Sequence, residues 1–110
     1  MKSVKSAKLA SPGPREVYQL LRNVALGLLH LERTAEGSWT QVHTGSVRVQ
    51  IEGHLVWLVK ESGSLDHCLA CQMSDGRRAD QSAWAQPGTD PLELLSVWER
   101  AQLMAILESS

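Results

Sequence analysis

The sequence lacks a long apolar run. No segment approaches the roughly 18 consecutive apolar residues of a membrane-spanning helix, and the longest apolar run is interrupted by Gly27 and ends at His30. The N-terminus also lacks the apolar segment of about 7–15 residues that a signal peptide requires. We therefore expect a cytoplasmic protein with no membrane partner, whose cysteines stay reduced.

The sequence also lacks an excess of either charge. Eleven Lys and Arg residues stand against twelve Asp and Glu residues, for a formal net charge of −1. Nucleic-acid affinity rests on a local excess of basic side chains, so we do not expect nucleic acid as a partner. The unopposed lysines Lys2, Lys5 and Lys8 are interpreted as part of a solvated tail.

No pattern typical of catalysis is present. The chain has neither a Gly-x-Ser-x-Gly elbow nor a glycine-rich phosphate loop, so we assign no catalytic residue and expect a protein that is not an enzyme. The chain has 110 residues, 43% hydrophobic and 21% charged, which is typical of one globular domain. We expect a flexible tail over residues 1–12 and a single α+β domain over residues 13–110.

Two segments have helical periodicity. The first begins at Pro14, carries Glu16 in its first turn and ends near Gly27; its apolar face holds Val17, Leu20, Leu21, Val24 and Leu28. The second is predicted from Asp90 as N-cap to about Leu107, because Pro91 and Glu93 follow Asp90 as in a capping box. Its predicted apolar face holds Leu94, Leu95, Trp98, Ala101, Met104, Ala105 and Leu107.

The segment between the helices predicts an antiparallel meander of three or four strands, with both helices on one sheet face. The clearest hairpin joins residues 47–51 to residues 55–59. Residues 67–73 and 78–84 predict two further strands around a two-residue Asp75-Gly76 turn. A strand over residues 39–43 is a weaker prediction, and residues 28–32 fit either a helical extension or a short strand.

The register of the clearest hairpin predicts a second apolar surface. A two-residue turn at Gly53 places Val47, Val49, Ile51, Val56 and Leu58 on one face. Leu55, Trp57 and Val59 then share the other face with Arg48. Trp and Arg are enriched at interface hot spots, so we interpret these four residues as a candidate surface for a protein partner or for self-association. The favoured function is a non-enzymatic interaction or regulatory module.

The pair Cys68 and Cys71 allows two other functions. With His67 as a third ligand, the pair could bind zinc as a cofactor, although the chain has no second cysteine pair. It could instead be a thiol redox pair. The structural alternative is that both are small buried hydrophobic residues. In a regular strand the two side chains point to opposite faces and cannot meet without a bend.

Several segments resemble, in order, a family of small uncharacterised bacterial proteins. They are residues 15–22, 25–27, 65–66, the cysteine pair, residues 75–77, and the helix from Asp90-Pro91 through Trp98-Glu99-Arg100. The resemblance covers residues 14–107. It implies a bacterial cytoplasmic protein of unknown function and assigns no role to any residue.

Overall fold

The described residues form an α+β fold of two helices and five strands. The computed structural model describes residues 11–33, 39–84, 86 and 88–109, so the predicted tail lies outside the described residues except for residues 11 and 12. The elements, in chain order, are α1 (Pro14–Ala25), β1 (Leu31–Arg33), β2 (Gly45–Ile51), β3 (His54–Glu61), β4 (Ser64–Gln72), β5 (Arg78–Asp80) and α2 (Val97–Ser109). The predicted fold class is confirmed, but the strands number five rather than three or four.

The sheet is an antiparallel meander whose strands lie in sequence order. The additional strand is β1, which pairs with the end of β2 from Leu31 opposite Ile51 to Arg33 opposite Val49. Of the ambiguous segment 28–32, residues 31 and 32 therefore lie in a strand, whereas residues 28–30 are in neither a strand nor a helix. The weaker prediction of a strand over residues 39–43 was wrong, because Trp39–Gln41 forms a short 3-10 turn.

Helix α1 ends as the sequence predicts. Gly27 has a positive φ of 79°, a conformation that glycine adopts without steric cost. The Leu28 N–H donates to the Asn23 carbonyl at 2.8 Å, and the Gly27 N–H donates to the Val24 carbonyl at 3.0 Å. These two bonds form a Schellman motif. The motif turns the chain out of the helix and into β1.

The central hairpin has the predicted register. Val47 lies opposite Leu58, and Val49 lies opposite Val56. Glu52 and Gly53 form its two-residue turn with φ values of 49° and 89°, as a type I′ turn requires. All five residues predicted for the core face are buried, and they join one hydrophobic core with both helices: Val17, Leu20, Leu21, Val24, Leu103 and Leu107 contribute from α1 and α2.

The turn after β4 differs from the two-residue prediction. The Met73 N–H donates to the Arg77 carbonyl at 2.7 Å, and the Gly76 N–H donates to the Met73 carbonyl at 2.9 Å. The loop therefore has three residues, with Gly76 at a φ of 96°, as in a type I turn followed by a bulge. The returning strand β5 is also shorter than predicted and continues as a 3-10 turn over Gln81–Trp84.

Helix α2 begins six residues later than the predicted first turn at Pro91. The Glu99 N–H donates to the Ser96 hydroxyl at 3.1 Å, and the Ser96 N–H donates to the Glu99 carboxylate at 3.0 Å. This is a capping box, and it competes with the similar pattern at Asp90. The shift also makes the core placement of Trp98 wrong, since this residue is 57% exposed.

Trp39 and Trp84 are core residues, in agreement with the prediction that they lie in the core or at its rim. Trp39 is 1% exposed and Trp84 is 4% exposed. The Lys60 ammonium lies 4.8 Å from the Trp39 ring centroid and donates to the Trp39 carbonyl at 2.7 Å. This contact accounts for the burial of a lysine on the core side of β3.

Candidate interaction face

The sheet has a second face, opposite the face on which Val56 and Leu58 pack with residues of α1 and α2 in the core. Leu55, Trp57 and Val59 are half-buried on this face, and Arg48 lies directly opposite Trp57. The structure therefore brings together the four residues that the sequence assigned to partner binding. We call this surface the open face.

The open face extends onto β4 and β5, which sequence reasoning did not include. Trp57 lies opposite Ala70, and Ala70 lies opposite Asp80. An open groove of about 560 Å³ lies beside Trp57, and its lining includes Leu69, Ala70, Arg78, Asp80 and Ser82. The sequence signal for these residues was the Asp-Gly turn, which returns β5 alongside β4. The sequence did not show that they lie on the same face as Trp57.

A bulge in β4 places Leu69 at the groove. Leu58 lies opposite Cys68 and Trp57 lies opposite Ala70, so Leu69 has no partner on β3. An extra residue in one strand bends that strand and re-aims its side chains. A second irregularity leaves Asp66 unpaired, since Val59 lies opposite His67 and Lys60 lies opposite Leu65. Neither bulge has a recognisable sequence pattern.

Side chains from outside the sheet bind the backbone at these bulges. The Cys68 N–H donates to the Asp90 carboxylate at 3.2 and 3.3 Å. The Trp84 indole N–H donates to the Cys68 carbonyl at 3.0 Å, and the Arg100 guanidinium donates to the Leu65 carbonyl at 2.7 Å. These bonds satisfy β4 backbone groups beyond the end of β5, so this edge does not offer free pairing groups.

The same bulge brings both cysteines to the core face. Cys68 lies opposite Leu58 and Cys71 opposite Val56, and both cysteines are free thiols that are at most 1% exposed. Burial raises the pKa of the Cys68 thiol far above its usual range and raises the pKa of Cys71 to about 11. Both thiols are therefore protonated at neutral pH, whereas metal binding and redox exchange need the thiolate.

His67 points away from the thiols. Its neighbour Cys68 is on the core face, so His67 lies on the opposite side of β4, where its Nδ1 is 2.6 Å from an Asp66 carboxylate oxygen. Among the residues that the structure describes, no three His, Cys, Asp or Glu side chains group closely enough to hold a metal ion.

Asp80 carries its charge at the rim of the groove. The Ser82 hydroxyl and the Ser82 N–H donate to its carboxylate at 2.5 and 3.0 Å. These bonds stabilise the charged form and lower the pKa of Asp80 below its ordinary value. With Arg78, which also lines the groove, the rim therefore carries charges of both signs.

The segments that suggested a family resemblance bind one another. Arg77 pairs with Glu16 of α1 and with Asp75, and Arg22 pairs with Glu99 of α2 at 3.2 Å. These contacts join the helices and the last hairpin, which gives the recurring segments a structural role. A family profile described as Domain of unknown function (DUF7693) matches residues 12–109. The chain belongs to the DUF7693 family.

The DUF7693 match confirms the resemblance to a family of unknown function. The matched residues, 12–109, include both helices and all five strands of the described fold. No curated protein and no solved structure matches the chain. The bacterial and cytoplasmic assignments remain predictions. Within the described part of the chain, no helix is both long and apolar enough to span a membrane.

Proposed function

We propose that this chain is a non-enzymatic protein–protein interaction module and that the open face is its contact surface. The observation that carries the proposal is a partly exposed tryptophan on the sheet face opposite the core, beside a groove that Ser11 and residues of β4 and β5 line and to which α1 and α2 contribute no residue. Interface hot spots combine such an aromatic anchor with arginine and an apolar surround. Trp57 has Arg48 opposite it on β2 and Ala70 opposite it on β4.

The composition around Trp57 supports the same function. Leu55 and Val59 flank it on β3, and the bulge adds Leu69. An apolar centre within a polar rim is the usual anatomy of a protein interface. The rim here includes Gln50 and Gln72, which lie opposite Leu55 on its two sides. It also includes Asp80 opposite Ala70 and Arg78 opposite Gln72.

The zinc and redox alternatives have weaker support. Each needs an accessible thiolate, and the environment of Cys68 and Cys71 favours buried, protonated thiols. The pair is better interpreted as part of the core.

Affinity purification from cells that express the chain tests the proposal. Tagged wild-type protein is compared with Trp57→Ala and with Trp98→Ala, which removes an exposed tryptophan from α2. We expect quantitative mass spectrometry to show partners, including an untagged copy of the chain, that are lost with Trp57→Ala and kept with Trp98→Ala.

Urea unfolding must first show that both variants are folded. If Trp57→Ala is unfolded, Leu69→Glu replaces it, since Leu69 has no cross-strand partner on β3. An identical set of captured proteins for wild type and for the folded open-face variant would count against the proposal.

A further inference from the structure

The groove beside Trp57 meets the chain just before α1. Ser11 lines this groove together with residues of β5. The next residue along the chain, Pro12, is fully buried, so the backbone is held at this point as well as in α1. Residues 1–10 precede Ser11 in the sequence, and they are therefore attached at the wall of the groove.

The first turn of α1 lies at the edge of the sheet. The Arg77 guanidinium, beside the β4–β5 turn, donates to the Glu16 carboxylate at 3.1 Å, and β5 is the last strand of the sheet. Val17 and Leu21 of α1 belong to the core, whereas Ser11 lines the groove on the open face. The chain therefore passes the edge strand β5 between these two points, and the segment before Ser11 starts from the open-face side.

The short distance across the sheet puts the groove within reach of Leu9. Neighbouring strands lie about 4.8 Å apart, so β3 is about 10 Å from β5. Two residues of extended chain span about 7 Å, which carries Leu9 from the β5 edge to the groove floor between Leu69 and Trp57. The next large apolar side chain toward the N-terminus is Val4, which is five residues farther from the groove.

The chemistry of the groove suits an apolar side chain. Trp57 and Leu69 supply apolar surface, and the bulge leaves Leu69 without a partner on β3. Asp80 and Arg78 carry opposite charges among the lining residues, so the groove has no net charge that would favour a strongly charged occupant. The fit of Leu9 therefore rests on burial of apolar surface.

We infer that the occupant of this groove is the N-terminal segment of the same chain, residues 1–10, with the Leu9 side chain against Trp57 and Leu69. Because Ser11 is already held at the groove, only residues 9 and 10 need to be ordered for this contact, and the effective concentration of the segment is high. A partner of the open face then has to displace Leu9. This regulatory consequence rests on the proposed function, whereas the contact within the chain does not.

Paramagnetic broadening in NMR tests the contact in the full chain. A nitroxide attached to Ser6→Cys broadens the amide signals close to the segment, and the labelled protein is compared with versions that also carry Leu9→Glu or Val4→Glu. Tethering keeps the label near the groove in all three proteins, so only a difference between them reports the contact. We expect Leu9→Glu to lose most of the broadening at the Leu69 and Ala70 amides, and the matched control Val4→Glu to keep it.

Two results would overturn the inference. One is equal broadening of the Leu69 and Ala70 amides in the Leu9→Glu and Val4→Glu versions. The other is broadening of the same size in an isotope-labelled chain without a nitroxide that is mixed with a nitroxide-labelled chain, which would identify the segment of a second copy as the occupant. Wild type treated with the same reagent checks that the buried thiols of Cys68 and Cys71 take up no label.

The capture experiment separates this inference from the proposed function. If Leu9 occupies the groove in about nine molecules of ten, Leu9→Glu should lower the apparent dissociation constant of a Trp57-dependent partner about tenfold. Broadening that depends on Leu9, without any Trp57-dependent capture, supports the inference and contradicts the proposed function. Trp57-dependent capture, with broadening that is indifferent to Leu9, supports the proposed function and overturns the inference.

Discussion

Removing the Asp90 carboxylate should destabilise the fold by releasing the β4 bulge. The carboxylate accepts the Cys68 N–H and the Leu92 N–H, the latter at 2.9 Å. A hydrogen bond to a charged group is worth about 1.5–3 kcal/mol. Because Asp90 is half-buried and water can replace part of what is lost, the lower end applies to each bond. Asp90→Ala should therefore lower the free energy of unfolding by about 3 kcal/mol.

Urea unfolding followed by tryptophan fluorescence measures this loss. With a urea slope of about 2 kcal/mol per molar, the midpoint should fall by about 1.5 M. The matched control is Glu93→Ala, which removes an exposed carboxylate three residues along the chain and should change the free energy of unfolding by less than about 0.5 kcal/mol. Equal shifts for the two variants would refute the assignment of Asp90 as the support of the bulge.

The pH dependence of stability provides a second test of Asp90. Burial raises the pKa of Asp90 above its ordinary value, although the N–H groups of Leu92 and Cys68 act in the opposite direction. A folded-state pKa above the unfolded value, about 3.9, contributes stability below that value and loses it as pH rises through the folded pKa. The stability of wild type relative to Asp90→Asn should therefore decrease as pH rises from about 4. A difference that does not vary with pH would contradict the raised pKa.

Two further predictions concern the thiols and the start of α2. Burial raises the pKa of Cys71 to about 11 and that of Cys68 still higher. Neither thiol should therefore react with an alkylating reagent at pH 7 until the chain is unfolded. Rapid modification of the native protein, measured by mass spectrometry, would instead support the zinc and redox alternatives. Ser96→Ala removes the hydroxyl that accepts the Glu99 N–H and should lower the free energy of unfolding in urea by about 1 kcal/mol. The control Ser82→Ala, outside any helix cap, should leave α2 intact. Equal effects of the two changes on helical circular dichroism would argue against the capping box.

The sequence was a reliable guide where local chemistry and burial agree. The central hairpin was predicted in its register because alternation of apolar residues and a glycine turn both specify it. The same reasoning produced Leu55, Trp57, Val59 and Arg48 as one surface. The end of α1 was likewise predicted, since Gly27 can adopt positive φ and the apolar periodicity stops there.

Competing local signals caused the errors. Two capping patterns lie six residues apart, at Asp90 and Ser96, and each can begin a helix. Contacts distant in sequence decide between them, because Asp90 binds the Cys68 backbone across the fold while Ser96 pairs with Glu99. Trp98 was placed in the core because α2 was predicted to begin at Pro91, so the error in the start of the helix also made this placement wrong.

By itself the sequence determined the α+β class, the central hairpin and an apolar second face, because these follow from periodicity and turn chemistry within short segments. Only the tertiary structure decided the bulge at Leu69, the common face of the two cysteines and the short strands at both edges. These depend on pairing between strands and on side chains such as Asp90 and Arg100 that bind distant backbone groups.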